Sequence, residues 1–369
     1  MSEQQLRQSQ AVACINPRAL QHNLEQVRHY APTASILVVI KADAYGHGLE
    51  VVAHALANAD GMAVGTMQEA HELRAIMPDH EIVVLQGITA ADDLAHCLEK
   101  NIQVVIHSEY QLQLLEQAKL AQPVKCWLKV DTGMHRLGVM PEQVPDLLSR
   151  CRQCNNIAQP VTVLSHLACA DEPEHPENQM QIETFDDLEL AEDLPRSLAN
   201  SAAIIAFPDA HYDWVRPGIM LYGISPLADT TASELDLQPV MTLKSRLIAV
   251  NHLLQGDPVG YGATWQCPED MPVGVVGFGY GDGYPRHVPS GTPVLVNGQR
   301  VPIVGRVSMD LITVDLRTLP AAQVGDEVIL WGEGLPIEEI AAAAETIGYE
   351  LVCRLTSRVT FRTCLLYTS

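Results

Sequence analysis

Residues 35–48 read SILVVIKADAYGHG, and residues 49–59 continue LEVVAHALANA. The run Ser35–Ile40 is almost wholly β-branched or leucine, which is the composition of a strand buried on both faces. Lys41 ends the run, a turn containing Gly46 and Gly48 follows, and Leu49–Ala59 carries apolar residues at helical spacing. One strand followed by one helix is a βα unit, and the unit recurs. Strand candidates lie at Met62–Gly65, Glu81–Leu85, Ile102–Ile106, Val124–Val130, Val161–Ser165, Arg196–Ala199 and Asp213–Val215. Amphipathic stretches such as Gln68–Ile76, Tyr110–Leu120 and Gln143–Cys151 separate them. Eight units predict an α/β chain beginning with a (β/α)8, TIM-like barrel, a fold that typically takes about 250 residues. A doubly wound open sheet has the same local pattern, and strand counting leaves both open.

Beyond Asp236 helical periodicity fades. Short alternating runs (Met241–Val250, Val273–Gly277, Thr292–Val296, Val301–Val304, Leu311–Val314, Glu327–Leu330) sit between Gly, Pro and Asp turns. They predict a mostly antiparallel β domain with one late helix near Ile337–Ile347. The expected division is a barrel over residues 12–235 and a β domain over 236–363, joined by the polar, turn-rich stretch SPLADTTASELDLQ. Val12–Ile15 is spare in the count of eight and is free to pair with the β domain.

The chain has 369 residues, enough for about two domains, with a formal charge of −22, 47% hydrophobic and 18% charged residues. That is globular composition rather than disorder. The negative charge repels phosphate backbones and anionic headgroups, arguing against nucleic-acid and membrane-surface partners. No apolar run reaches 18 residues, and the N-terminus MSEQQLRQSQ lacks a signal-peptide core, so a cytoplasmic protein is expected. Nine scattered cysteines do not form a disulfide framework, and the CxxC of Cys151 and Cys154 lacks a second ligand pair, so no metal site is expected.

In a barrel the working residues sit at the C-terminal strand ends. Lys41 follows the first strand, where desolvation would lower its pKa and free an amine for covalent or base chemistry. On position alone, a lysine snorkelling to water is the simpler reading. The fifth strand ends in LKVDTGMHRLG, placing Lys129, Asp131 and Arg136 near one mouth. The sixth offers His166, which by itself reads as a satisfied core histidine. The seventh ends at Asn200 and Ser201, and the eighth at Arg216, followed by Gly218 and Ile219. Loops after strands seven and eight are the usual phosphate cradle of this fold, and a hydroxyl and bare backbone suit that task.

These motifs resemble the bacterial alanine racemases. VVIKADAYGHG looks like the family's pyridoxal-phosphate lysine motif, and the likeness continues through LKVDTGMHRLG, SHLACADE, ANSAA, VRPGIMLYG, GYGATW, GFGYGDGYPR and GRVSMD. It runs in family order from about Val12 to Val359. The resemblance implies a pyridoxal 5'-phosphate enzyme racemising L-alanine to D-alanine for peptidoglycan, as a head-to-tail homodimer with active sites shared between subunits. Lys41 would hold the cofactor covalently. Tyr45, Ser201, Gly218 and Ile219 would cradle its phosphate beside Asn200, and Arg216, supported by His166, would face its ring nitrogen. Arg136 would reach the phenolic oxygen and the substrate carboxylate, held in place by Lys129, which is carbamylated in some members.

The resemblance also implies a second catalytic group, Tyr261, contributed by the partner. Read alone, a tyrosine between two glycines is more often a turn or packing residue. A phenol with an ordinary pKa of about 10 needs nearby positive charge to act as a base, and His166 and Arg216 are candidates to supply it. Met309 would offer a backbone N–H to the substrate carboxylate, though a buried core methionine is an equally good reading. Tyr280 would line the entrance and Asp310 would lie near the site, while Asp171 and Glu172 shape the approach or merely aid solubility.

Two departures matter. Many members carry a tyrosine before the Arg358-Val359 pair, where this chain has Ser357, so substrate breadth is open. A racemase of larger amino acids such as serine, lysine or arginine on the same scaffold is the nearest alternative. A non-catalytic cofactor carrier would lack the β domain, and a decarboxylase would place a carboxylate where Arg216 stands. The final CLLYTS back-translates to a transposon end used in sequencing libraries, so the native end is expected near Thr363.

Overall fold

The computed structural model describes residues 11–364. Most of the expected non-native tail lies outside them. Eight parallel strands form the first sheet: β2 (Ser35–Val39), β3 (Gly61–Val64), β4 (Ile82–Val84), β5 (Ile102–Ile106), β6 (Val124–Lys129), β7 (Ile157–Leu164), β8 (Arg196–Ser197) and β9 (Trp214–Val215). The order is β8-β7-β6-β5-β4-β3-β2-β9, so each strand neighbours the next and the last returns to the first. Between β8 and β9 the wall closes by single bonds, Arg216 N to Ala199 O at 2.9 Å and Asp213 N to Arg196 O at 3.1 Å. The barrel reading therefore holds over the open sheet. Its strands are buried nearly throughout, as parallel strands covered by helices must be.

The first strand among the described residues, β1 (Val12–Ile15), belongs to the other sheet. There it lies between β10 (Met241–Leu253), antiparallel, and β18 (Thr360–Thr363), parallel. β10 also pairs with β13 (Met271–Val276) and β17 (Glu327–Trp331). β11 (Pro258–Val259) and β12 (Trp265–Gln266) form a separate ribbon. β14 (Pro293–Val296) and β15 (Gln299–Pro302) extend the β17 side, and β16 (Ile312–Asp315) backs β13.

One expectation is corrected. The late helix expected near Ile337–Ile347 ends at Ala343, Glu345 takes φ of 50°, and a second helix, Gly348–Cys353, follows beyond the expected range. Glu345 adopts a left-handed conformation that a continuing helix does not accommodate, and β-branched Thr346 and Ile347 follow. The second helix turns back onto the barrel.

Candidate active site

Lys41 emerges from β2 into a turn wound the wrong way. Ala42, Asp43, Ala44 and Tyr45 have φ of 54°, 51°, 53° and 53°, and Gly46 follows at 72°. Left-handed geometry costs L-residues about 1–2 kcal/mol each, so the surroundings must impose it. Glu69 pins one end, accepting from Ala42 N at 2.6 Å and from Gly65 N at 2.8 Å. Asp43 Oδ1 accepts from Leu49 N at 2.7 Å at the other. Gly46 permits the close approach of the helix Gly348–Cys353, since a Cβ there would lie 2.3 Å from Val352 O.

The turn opens into a cavity of about 600 Å3 at the C-terminal mouth of the barrel. Lys41, Tyr45, Lys129, Arg136, His166, Asn200, Ser201, Arg216, Gly218 and Ile219 all line it. Ten residues expected from strand ends and loops thus converge on one space. Desolvation, reinforced by the charge of Arg136, holds the Lys41 amine below its ordinary value.

Arg216 is the best-anchored group. Its Nη1 donates to Ser197 Oγ at 2.5 Å, and its Nη2 to Ser165 O at 2.5 Å and Leu198 O at 3.2 Å. Burial pushes its pKa down to about 10, which leaves it protonated at neutral pH. Among the described residues its Nε alone makes no hydrogen bond, so that donor remains for an acceptor in the cavity. His166 Nδ1 lies 3.4 Å from Nη2. Both hydrogens of Nη2 are directed to Ser165 O and Leu198 O, so the imidazole lies against the edge of an already satisfied guanidinium. Desolvation and then the charge of Arg216 keep His166 well below its ordinary pKa, and hence neutral.

Lys129 donates to Leu137 O at 2.8 Å, the carbonyl next to Arg136, rather than bonding the guanidinium itself. Burial first, then the charges of Arg216 and Arg136, push its pKa down to about 8. Asp131 shapes the same loop by accepting from Gly133 N and His135 N at 3.0 Å each.

Ser201, Gly218 and Tyr45 meet at one corner of the cavity. Ser201 Oγ accepts from Gly218 N at 2.7 Å, and a Cβ added at Gly218 would lie 2.7 Å from Tyr45 Oη. Bare backbone and two hydroxyls therefore face one corner, where the turn Ile219–Tyr222 begins and leaves its leading amides without partners inside the turn. Asn200 caps the helix Ser201–Ala206, accepting from Ala203 N at 3.1 Å.

The helix Gly348–Cys353 adds Tyr349 and Cys353 to the lining of the cavity. Their four-residue spacing would place them on one helical face, but the expected helix ended before them. Burial raises the pKa of Tyr45 and of Tyr349.

Tyr261, Tyr280, Met309 and Asp310 do not line this cavity. They lie on adjoining loops of the β domain: a Cβ at Gly260 would meet Arg306 N at 3.4 Å, and Gly281 N donates to Met309 O at 2.8 Å. Tyr261 is 68% exposed, Met309 53% and Tyr280 36%, so the core reading of Met309 does not hold. Arg358 ties the cluster, 2.7 Å from Asp310 and 3.0 Å from Asp282. Ser357 beside it is exposed.

Comparison with known proteins agrees with this geometry. A family model described as "Alanine racemase, N-terminal domain" matches residues 15–226, and "Alanine racemase, C-terminal domain" matches 240–363. The chain is 52% identical over 347 residues to the alanine racemase of Nitrosococcus oceani, covering 94% of this chain and 97% of that protein. It is 50% identical over 353 residues to the biosynthetic alanine racemase of Escherichia coli O6:H1, covering 95% and 98%. Among solved structures, biosynthetic alanine racemase from Pseudomonas aeruginosa superposes with a TM-score of 0.92 at 44% identity, over 96% of this chain and 99% of that one. Alanine racemase from Bartonella henselae with covalently bound pyridoxal phosphate gives 0.87 at 29%, over 96% and 99%.

Proposed function

Because the chain belongs to the alanine racemase family, we propose that it divides its reaction between Lys41 on one face of the substrate carbon and the partner subunit's Tyr261 on the other. The enzyme is an isomerase that interconverts L- and D-alanine with pyridoxal 5'-phosphate. Racemisation removes the Cα proton from one face and returns one to the opposite face, so two acid–base groups must flank that carbon. When bound, the cofactor supplies an electron-withdrawing ring that acidifies this proton.

The cavity's donor set fits that cofactor. Tyr45, Ser201 and the backbone of Gly218 and Ile219, with Asn200 beside them, would hold its phosphate. Arg216, through Nε, would face the ring nitrogen. Because a guanidinium does not surrender its proton, that nitrogen stays an acceptor and the electron sink is weaker, which limits side reactions such as transamination. Arg136 would bond the phenolic oxygen and seat the substrate carboxylate, with Lys129 bracing the backbone beside it. The lowered pKa of Lys41 favours its neutral, nucleophilic amine.

One observation carries the two-subunit reading: Tyr261 is 68% exposed and absent from the lining of its own cavity. The phenols that do line it, Tyr45 and Tyr349, are pushed up by burial and so are poor bases. A second copy, docked so that the exposed rim of Tyr261, Tyr280 and Met309 closes the mouth, forms a homodimer that completes both sites. The partner's Met309 N–H then meets the substrate carboxylate, and the partner's Asp310 lies nearby. Nine unpaired thiols and the family's biosynthetic relatives support a cytosolic enzyme making D-alanine for peptidoglycan. No helix among the described residues is long and apolar enough to cross a membrane.

Subunit mixing tests the reading. Lys41→Ala and Tyr261→Phe are each expected to lose racemisation, by about 10²-fold or more. Co-refolded together, they regain activity if one hybrid site holds Lys41 from one chain and Tyr261 from the other. A mixture as inactive as its parents refutes the shared site.

A further inference from the structure

The helix Met67–Ile76 follows β3, and a capping box closes its first turn. Thr66 Oγ1 accepts from Glu69 N at 3.3 Å, and Glu69 Oε2 accepts from Thr66 N at 3.0 Å. Oε2 also takes Gly65 N at 2.8 Å, just past the end of β3. Capping therefore occupies one oxygen of the carboxylate. The other leaves the helix: Oε1 accepts from Ala42 N at 2.6 Å, in the preceding βα unit and directly after Lys41. Capping gives no reason for that bond.

Glu69 is half-buried and does not line the active-site cavity, so it acts on that cavity only through the backbone beside it. The Ala42 amide lies in the same rigid plane as the Lys41 carbonyl, and fixing one fixes the mount of the lysine stem. Bare backbone lets the two side chains approach. A Cβ on Gly65 would lie 3.0 Å from Glu69 Oε2 and 3.8 Å from Lys41 Cβ. Ala42, at φ of 54°, holds a conformation that alanine leaves readily once its amide is released.

We propose that Glu69 is a positioning residue for racemisation, anchoring the Lys41–Ala42 peptide to the end of β3 so that the Lys41 amine is aimed at the substrate carbon. This role rests on the reading of Lys41 as one of the two acid–base groups. The charge of Glu69 also favours the cationic form of the amine, against burial and against Arg136 from the loop after β6. Cys353, on the C-terminal helix, acts in the same sense as Glu69, and His166, after β7, is neutral.

Three variants separate anchor, charge and cap. Glu69→Gln offers one carbonyl oxygen for two directions, and its amide nitrogen would face an N–H. Glu69→Asp keeps the charge but is one methylene too short to hold both sides. Thr66→Ala removes the other half of the capping box and leaves the carboxylate in place. Both Glu69 variants are expected to lose about tenfold or more in kcat with KM for alanine held within about twofold, whereas Thr66→Ala keeps kcat within about twofold. A second readout is the rate at which stripped enzyme captures pyridoxal 5'-phosphate, followed against pH. Its acidic limb reports deprotonation of the Lys41 amine. Glu69→Gln should move that limb to lower pH by about half a unit, and Glu69→Asp should leave it in place. A purely helix-stabilising role moves neither kcat alone nor the limb.

A kcat within about twofold of wild type in either Glu69 variant, an equal loss in Thr66→Ala, or an unmoved limb in Glu69→Gln would each overturn the proposal. If Glu69→Gln does not fold, kcat of Glu69→Asp decides. Racemisation surviving in Lys41→Ala would instead remove the assignment of Lys41 itself, a failure distinct from wild-type behaviour in the Glu69 variants.

Discussion

Arg216 Nη2 and His166 Nδ1 stand 3.4 Å apart at the floor of the cavity, a permanent cation beside an imidazole that must remain neutral. The arrangement spends three of the guanidinium's five N–H donors on Ser197, Ser165 and Leu198 and so fixes the plane that carries Nε.

Arg216→Lys keeps the charge and loses the fork. A lysine ammonium does not reproduce the planar set of donors, and buried acceptors are left unpaired. Stability is expected to fall by about 1–3 kcal/mol in denaturant titration, and kcat by about 10²-fold, while the bound cofactor's long-wavelength absorbance persists.

Gly218→Ala places a methyl 2.7 Å from Tyr45 Oη, in the corner assigned to phosphate. Cofactor affinity is expected to drop about tenfold or more, read by reconstituting the stripped enzyme with pyridoxal 5'-phosphate. Tyr45→Phe, which removes only the hydroxyl, is expected to weaken the same step less.

Lys129 gives a pH signature. Its folded pKa of about 8 lies below the ordinary 10.5, so the folded state disfavours its charged form. The penalty is complete below pH 8 and is relieved as pH rises from 8 to 10.5, where the unfolded chain holds one more proton. In carbon-dioxide-free buffer, wild type should gain stability relative to Lys129→Met across that window, by at most about 1.4 kcal/mol per pH unit. Added bicarbonate, by carbamylating the neutral amine, turns its repulsion of Arg136 into attraction and should raise activity in wild type but not in the variant.

Ala42→Gly inverts the usual rule. In a right-handed helix that change costs about 1 kcal/mol. Ala42 sits at φ of 54° with its side chain exposed, so glycine relieves strain and gives up no packing. Stability of the cofactor-free protein is expected to be unchanged or higher by up to about 1 kcal/mol, measured by thermal unfolding.

What was legible in the sequence followed from short range. Lys41, Lys129 and Arg216 could be placed at a barrel mouth because each directly follows an apolar run, and strand period and chain order do the rest. Tyr349 and Cys353 were not legible, because they reach the cavity only when a C-terminal helix folds back across some 300 residues of chain onto Gly46. The left-handed turn was equally hidden: Ala42 and Ala44 prefer right-handed helix, and it is Glu69, far along the chain, that overrules them. Tyr261, Tyr280 and Met309 were marked by family likeness rather than by pattern, and one chain by itself leaves them facing water.

β1 is stitched between β10 and β18, so residues 12–15 wait for residues 360–363 before their ladder is complete. During synthesis the barrel can close behind the ribosome while β1, a strand of the other sheet, keeps one edge open until β18 emerges. β1 and β18 are thus a clasp, and removing either one leaves the second sheet with an open seam at which neighbouring chains can pair.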